Sequence, residues 1–294
     1  MLETEEMTAR TPGTPREGSS EIPLSSPGAL AVFSAMLVAA AGCRSQPAAA
    51  PPLKVAAAAD LAFAFEDIGE LYERRTGQRV VFSFGSTGLL EKQIAEGAPF
   101  DLFAAASVDF ADDAVASGAC LADSKTLYAT GRVVLFAAAG AAAAPAVIAD
   151  LADARIAKVA IANPEHAPYG RAAKQAIARA GLWGRVAPKL VYAENVQQAL
   201  SFAQSGNADV AIIALSLATV TPGHASTIPA ELHDPIEQAM VVCTRGTGGP
   251  EGARRFAAFV GSTDGRAVMR RYGFLLPGEP GPSTGATTPG NTEP

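Results

Sequence analysis

Three short segments of the chain combine small, hydroxyl and acidic residues in a pattern that suits anion binding. They read Ala58-Ala59-Asp60, Gly85-Ser86-Thr87-Gly88 and Ala105-Ala106-Ser107, and each lies where a predicted strand runs into a predicted helix. The first turn of a helix has free backbone N–H groups and about half a positive charge. Several helix starts that converge on one point would therefore hold an anion without a cationic side chain.

Each junction has a simpler interpretation when it is taken alone. Ser, Thr and Asp in front of a helix are most often N-caps, whose side chains accept hydrogen bonds from the first turn. Gly85 and Gly88 would instead let the backbone approach a ligand closely, and Ser86 or Thr87 would add a hydroxyl donor. The occurrence of three junctions together favours an anion site, while the cap-only alternative stays open.

The pattern for catalysis is weaker. A histidine base would have to be His166, His224 or His233, and the chain has no G-x-S-x-G segment that would present a nucleophile. We find no nucleophile and base at a spacing that the chemistry would need, so a hydrolase is a disfavoured alternative and no enzyme is expected.

Metal-binding patterns are also weak. The acids Asp109, Asp112 and Asp113 fall near a predicted helix start, where they complement the helix dipole. Cys120 and Cys243 have no C-x-x-C or Cys/His ligand spacing, and nothing in their spacing indicates that they pair. We interpret them as two isolated, partly buried thiols, and no bare metal cation or cofactor is expected.

The elements that must position the three junctions follow from hydrophobic patterning. Short apolar runs alternate with helical patterns between residues 53 and 275, which is typical of α/β folds with largely parallel strands. The predicted strands are 53–58, 79–84, 101–105, 132–138, 158–162, 209–214 and 239–243. The predicted helices run from 61 to near Gly77, over 89–95, through 110–115, and over 171–180, 196–204, 250–260 and 264–272.

This order of elements predicts two lobes joined by two crossings of the chain. Residues 53–131 and 240–275 would form the first lobe, and residues 132–239 the second, each with a mainly parallel sheet flanked by helices. Open α/β sheets bind ligands beyond the carboxyl ends of their strands, so the cleft between the lobes is the expected binding site.

The ends of the chain indicate export. An apolar run of signal-peptide length covers 29–42 and ends in Ala40-Ala41-Gly42 directly before Cys43, which favours a lipobox whose Cys43 is acylated. The alternatives are an ordinary signal peptide cut near Ala41 and a buried helix. We therefore expect 1–42 to be a signal peptide region, 43–52 a lipid-anchored linker and 276–294 a disordered tail. The mature protein would lie in the periplasm or at the outer face of the cell membrane.

The charge of the chain excludes some partners. The formal net charge is -6, and the Lys and Arg residues are scattered singly, so no basic surface for nucleic acid is expected. The same negative field repels anions, which means that local dipoles must hold any anionic ligand. A monomer is expected, and the absence of a DNA-binding region argues against the sensor module of a regulator.

Five strings in the chain resemble the periplasmic molybdate-binding proteins of ABC importers. They are VAAAADL, FSFGSTGLLEKQIAEGAPFDLFAAAS, ANPEHAPYG, AENVQQAL and RRYGF, in the order and spacing usual for that family, and they extend over nearly all of 53–274. The resemblance implies a two-lobed type II periplasmic-binding fold. It also implies delivery of molybdate, and often tungstate, to a membrane permease.

The resemblance carries the binding site over residue by residue. It implies ligand contacts from neutral hydrogen-bond donors at seven positions, which are Ala59, Asp60, Ser86, Thr87, Ala106, Tyr169 and Val196. Many members have a tyrosine after the last strand of the second lobe, and that position is Ala214 here, so Tyr169 is expected to take its place. Phosphate, arsenate or sulfate remain alternative ligands.

Asp60 is a second departure from the family, because a carboxylate facing a dianion would repel it. A unit charge and a double charge about 4 Å apart cost on the order of several kcal/mol even at an effective dielectric constant of about 20. Asp60 therefore either turns away and caps its own helix, or carries a proton itself, or accepts a proton from the ligand. The first solution is favoured, since Asp is among the best N-cap residues.

Overall fold

The computed structural model describes residues 50–279 and forms two five-stranded sheets in this range. In chain order, the strands are β1 Leu53–Ala58, β2 Val80–Gly85, β3 Leu102–Ala105, β4 Thr126–Gly131, β5 Val133–Ala138, β6 Val159–Ala162, β7 Leu190–Ala193, β8 Val210–Ala214, β9 Gly223–Thr227 and β10 Ile236–Val242. The first sheet has the order β2-β1-β3-β10-β4, and the second has the order β7-β6-β8-β5-β9. Strands alternate with helices along the chain, which confirms the predicted α/β class.

Each sheet is mixed, although most of its strands point the same way. In the first sheet β1 pairs with β2 and β3 in parallel, while β10 is antiparallel to both of its neighbours. In the second sheet β5 is the reversed strand. The reversed strand arises in each sheet because the chain reaches it directly from the other lobe, without a crossover helix in its own lobe.

Helices cover the sheets and begin at the carboxyl ends of the strands. They are α1 Ala62–Thr76, α2 Thr87–Ala95, α3 Val108–Ala116, α4 Pro168–Arg179, α5 Trp183–Val186, α6 Val196–Gln204, α7 Leu215–Ala218, α8 Pro250–Val260 and α9 Thr263–Arg271. Local sequence explains their ends. Gly77 ends α1 in the left-handed region at φ 73°, and Pro168 begins α4 at a position that needs no backbone N–H.

The chain passes between the two sheets twice. The first crossing runs from Gly131 to Val133, and the second lies between the end of β9 and Ile236. The two crossings are neighbours, because Ile236 pairs with Gly131. The predicted lobe boundary at residue 240 lies too late in the chain, since β10 already belongs to the first sheet from Ile236.

The C-terminal helices pack on the first lobe, as expected. Phe256 of α8 contacts Phe65 and Tyr72 of α1 edge to face, with ring centroids 6.1 and 5.2 Å apart. The predicted start of the tail at residue 276 is wrong. Leu276 is buried in the core, and Glu279 accepts hydrogen bonds from Arg266 and Arg270.

Asp101 explains part of the GAPFDLF string. This buried carboxylate accepts from the backbone N–H of Lys54 and of Gly248, both at 2.7 Å, so it joins β1 to the loop before α8. A methyl group on Gly246 would collide with Asp101, which leaves glycine as the residue that fits there. The acid is thus structural.

Cys120 and Cys243 face each other in an antiparallel β-bridge. Both are buried. The expectation that they are isolated from one another is therefore wrong. The segments that carry them are brought together by β10, which returns from the second lobe and lies beside β3 and β4.

Two sequence predictions fall outside the described residues. They are the signal peptide region with the lipobox at Cys43, and the tail beyond residue 279. Within residues 50–279, none of the helices combines the length and the apolar character that crossing a membrane requires.

Candidate functional site

A small cavity lies between the two lobes, and helix starts surround it. The 3₁₀ turn Ala59–Leu61, α2 and the segment before α3 approach from the first lobe, and α4 and α6 from the second. The lining residues are Ala58, Ala59, Asp60, Gly85, Ser86, Thr87, Ala106, Ala167, Pro168, Tyr169, Asn195 and Val196. All seven predicted site residues are among them.

The two first-lobe helices α2 and α3 have no side-chain cap at their starts. Ser86 stands at the N-cap of α2 and Ser107 at that of α3, and neither side chain bonds to its own first turn. The cap-only alternative is therefore wrong for these junctions. The positive ends of these helices line the cavity, which is an arrangement that holds anions.

The start of α6 shows how one N–H is kept available. The side chain of Asn195 accepts from the N–H groups of Gln197 and Gln198, at 3.0 and 3.1 Å. Val196 is the first residue of the helix, so its N–H has no carbonyl one turn earlier to bond. The cap thus orders the helix start and leaves the Val196 N–H facing the cavity region.

Ser86 joins the two lobes. Its Oγ lies 2.7 Å from Nδ1 of His166 and donates to the His166 carbonyl at 2.9 Å, and the Gly88 N–H donates to the same carbonyl at 2.9 Å. Sequence reasoning found no such pairing of a serine with a histidine. The pair lacks the third group of a catalytic triad, because His166 Nε2 has no carboxylate partner within residues 50–279.

Thr87 and Ala106 meet at the base of the first-lobe side. The Ala106 N–H donates to the Thr87 hydroxyl at 3.4 Å, a long contact that a stronger acceptor would replace. Both residues are buried, and they follow the carboxyl ends of β2 and β3, which lie on either side of β1 in the first sheet. An anion placed here would accept hydrogen bonds from the Ala106 N–H and from the Thr87 hydroxyl.

Asp60 is buried between the lobes, and only one of its two carboxyl oxygens is hydrogen-bonded. Its Oδ2 accepts from the Tyr169 hydroxyl at 3.0 Å and from Nε2 of Gln238 at 2.6 Å. Its Oδ1 has no hydrogen-bond partner within residues 50–279. The expectation that Asp60 caps its own helix is wrong, because the carboxyl points to Tyr169 and Gln238 and leaves that turn uncapped.

Burial dominates the proton equilibrium of Asp60. It raises the pKa of Asp60 to about 6, against the smaller lowering effects of the hydrogen bonds from Gln238 and Tyr169. The pKa of Tyr169 is raised too, first by burial and then by the Asp60 charge. Tyr169 therefore stays protonated and its single hydroxyl hydrogen is used by Asp60, so a proton on Oδ1 would be the donor left for a ligand.

We expect this buried acid to make the ligand-free chain less stable as pH rises from about 4 to about 6. The unfolded chain loses the Asp60 proton first, near its ordinary pKa of 3.8, and the folded chain loses it near 6. The penalty of about 3 kcal/mol is then constant at higher pH. Chemical denaturation of the native chain and of Asp60→Asn across this range measures it, because the difference in unfolding free energy should grow with pH in favour of the variant. A pH-independent difference would contradict the raised pKa.

Three residues in this network were not found from the sequence. Gln238 of β10 bonds Asp60 and Tyr169, Ser216 donates to the Asp60 carbonyl at 2.6 Å, and Gly131 leaves room for the Tyr169 hydroxyl. Gln238 is far from Asp60 along the chain and no motif marks it. The one signal available was a polar pair, Glu237 and Gln238, ahead of the apolar residues 239–242.

The cavity is small in this conformation, about 10 Å³, which is room for about one water molecule. A tetrahedral oxyanion with four oxygens is larger than this cavity. The lobes must therefore separate for the anion to enter, and they must close around it to a slightly wider cavity. A broader groove of about 180 Å³ lies beside the cavity, but the carboxylates of Asp109, Asp234 and Glu237 line it and would repel a dianion.

The remaining sequence candidates do not gather at the cavity. His224 is exposed on β9, and His233 Nδ1 lies 2.7 Å from the Asp234 carbonyl. Asp112 forms an ion pair with Lys125 at the surface. Within residues 50–279, no group of three His, Cys, Asp or Glu residues is placed to hold a metal ion.

The fold and the cavity define a two-lobed receptor of the periplasmic-binding type, with a site suited to a small anion. The chain belongs to the bacterial extracellular solute-binding protein family, whose model matches residues 53–275. It is 34% identical over 244 residues to the molybdate-binding protein ModA of Azotobacter vinelandii, covering 80% of this chain and 94% of that one. The predicted family resemblance is therefore confirmed.

Two further comparisons agree. The solved structure of the Azotobacter vinelandii periplasmic molybdate-binding protein has a TM-score of 0.71 and 30% identity, and the match covers 76% of this chain and 99% of that one. YvgL of Bacillus subtilis (strain 168), named as a proposed ABC transporter substrate-binding lipoprotein, is 28% identical over 83% of this chain and 96% of its own. The predicted two-lobed fold is confirmed.

Proposed function

We propose that the chain binds molybdate in the cavity between its lobes, outside the cytoplasm, and delivers it to an ABC importer. The observation that carries this proposal is the convergence of helix starts from both lobes on one cavity in a relative of molybdate-binding proteins. Neutral N–H and hydroxyl groups can hold a dianion there despite the negative charge of the whole chain. Tungstate, which has the same shape and charge, is the expected second ligand.

The proposed contacts come from both lobes. In the first lobe, the Ala59, Thr87 and Ala106 segments supply backbone N–H groups and the Thr87 hydroxyl. In the second lobe, Val196 supplies its N–H and Tyr169 closes the site through Asp60. A ligand held by both lobes favours the closed state by its differential contacts, which is the basis of closure.

Besides Tyr169, whose hydroxyl hydrogen is used by Asp60, two of the predicted contacts have a different proposed role. The Ser86 hydroxyl is occupied by His166, so Ser86 stabilises the closed state and its neighbouring backbone faces the ligand. Asp60 would meet a dianion as a neutral acid, with the Oδ1 proton donated to a ligand oxygen. Binding then takes up one proton above pH about 6, where the ligand-free carboxyl is ionised.

Selectivity would come from size. Rigid helix starts fix the distance between opposing donors, so a smaller sulfate would leave some buried donors unpaired at about 1–3 kcal/mol each. Hydrogen phosphate and arsenate are the second candidates, because they carry a proton that the unpartnered Oδ1 of an ionised Asp60 would accept.

The setting of the protein is proposed from the ends of the chain and the family. The apolar run before Cys43 supports export with a lipid anchor at that cysteine, and YvgL is named as a lipoprotein. We propose a monomeric binding protein that hands its ligand to a membrane permease and catalyses no reaction.

Calorimetric titration of the purified chain with molybdate, tungstate, sulfate and phosphate at pH 7 tests the function. Tight binding of molybdate and tungstate, with sulfate and phosphate at least a hundredfold weaker, is the expected result. Binding of phosphate or arsenate in preference to molybdate would replace the proposed ligand. Failure of all four anions to bind would reject an oxyanion receptor.

A further inference from the structure

The facing cysteines occupy a position in the β-bridge that suits a covalent bond. The Leu121 N–H donates to the Val242 carbonyl at 2.8 Å, and the Thr244 N–H donates to the Ala119 carbonyl at 2.9 Å. These bonds flank Cys120 and Cys243, which makes the two cysteines a non-hydrogen-bonded pair. The Cα atoms of such pairs lie about 4.5 Å apart, within the range that disulfides span.

The side chains are close as well as the backbones. Both cysteines are 4% exposed, and they pack in the same apolar cluster as Phe103 and Val241. The pKa of the Cys243 thiol is raised, first by its hydrogen bond with the Cys120 side chain and then by burial. Thiols in the folded chain are therefore held against each other and shielded from other reactants.

We propose that Cys120 and Cys243 form a structural disulfide in the exported protein. Before folding buries the two cysteines, the thiolate of one of them attacks the disulfide of an exported oxidant of the dithiol–disulfide class, or of oxidised glutathione, and releases one oxidant thiol. The second cysteine then attacks the mixed disulfide and releases the other oxidant thiol. Two cysteine thiols become one disulfide with loss of two protons, and two electrons reduce the oxidant.

The position of this bond in the chain predicts that it stabilises the fold. The segment between Cys120 and Cys243 contains β5 to β9, which is the entire second sheet, together with both crossings. The bond would close a loop of more than 100 residues and join the two ends of the first lobe that flank the inserted second lobe. Long loops of this kind restrict the unfolded chain most.

Peptide mapping of the exported chain tests the bond directly. Free thiols are blocked with N-ethylmaleimide in denaturant without reductant, and the chain is then digested. The expected result is a linked pair of peptides that carries Cys120 and Cys243 and separates on reduction. Both cysteines fully blocked by N-ethylmaleimide, or either one linked to Cys43, would overturn the proposal.

Thermal unfolding tests its consequence. Dithiothreitol is expected to lower the Tm of the exported chain on the order of 10 °C. The control is the double variant Cys120→Ala and Cys243→Ala, which should start at a lower Tm and not respond to reductant. An equal response of the double variant would show that the bond contributes nothing to stability and overturn the structural role. Anion binding is measured on both forms, so this result stands independently of the ligand.

Discussion

Asp60→Asn is expected to remove the pH dependence of molybdate affinity and to tighten binding at pH 8 by up to roughly a hundredfold. In the native chain the Asp60 carboxyl must take up a proton before a dianion can bind beside it. Because its pKa is about 6, the free energy of this protonation rises with each pH unit above 6. Asparagine has the shape of the neutral acid, and its side-chain amide can donate a hydrogen bond at every pH because it does not ionise. Calorimetry between pH 6 and pH 8, in buffers of different ionisation enthalpy, measures both the affinity and the proton uptake.

The matched control is Asp112→Asn, which makes the same change in charge at an exposed position of α3. It should leave the affinity and its pH dependence as they are in the native chain. Loss of binding in Asp60→Asn at every pH would mean that the carboxylate accepts a proton from the ligand, and phosphate or arsenate would become the better candidates. Native affinity without any pH dependence would place the carboxyl away from the ligand.

Gly131→Ala is expected to weaken ligand binding about ten- to hundredfold, because it disfavours the closed state. An added methyl group would overlap the Tyr169 hydroxyl and lie 2.8 Å from its Cζ and 3.0 Å from Nε2 of Gln238. Gly131 does not have a left-handed φ, so its backbone accepts alanine and the cost is steric. Because Tyr169 comes from the other lobe, this cost applies to the closed state.

Two comparisons isolate that effect. Gly184→Ala adds a methyl group in open space on α5 and should change nothing. In a double-mutant cycle with Tyr169→Phe, which removes the overlapping oxygen, the effect of Gly131→Ala should become smaller. Affinity is measured by titration and closure by small-angle scattering with and without ligand. An unchanged affinity for Gly131→Ala would show that Tyr169 does not need its present position for binding.

The sequence was most informative where local chemistry decides the structure. Strand β1, the end of α1 at Gly77 and the whole of α6 agree with the prediction to the residue or nearly so, because apolar patterning and caps act over a few residues. Strands β4, β7 and β9 were missed. Strand β9 has no such signal, because it reads Gly-His-Ala-Ser-Thr and is mostly exposed. This segment becomes a strand because it pairs with β5.

The site was predicted in position but not in its hydrogen bonds. Helix starts at the carboxyl ends of strands must meet in this fold, so the cavity followed from element order and from the family resemblance. Partner choice depends on residues distant in the chain. Ser86 bonds His166, 80 positions away, and Asp60 bonds Gln238, 178 positions away, so local rules that favoured N-caps for Ser86 and Asp60 were overruled.

The pairing of Gly131 with Ile236 bears on how such a receptor arises and can be altered. The points where the second lobe leaves and rejoins the first are adjacent partners on neighbouring strands, so the whole intervening segment behaves as one cassette. Adjacent attachment points are the condition under which one domain can be inserted into another without disturbing it. Ancestral recombination, or a present-day swap with a homologue, can therefore exchange half of the binding wall in a single event while the other half keeps its geometry.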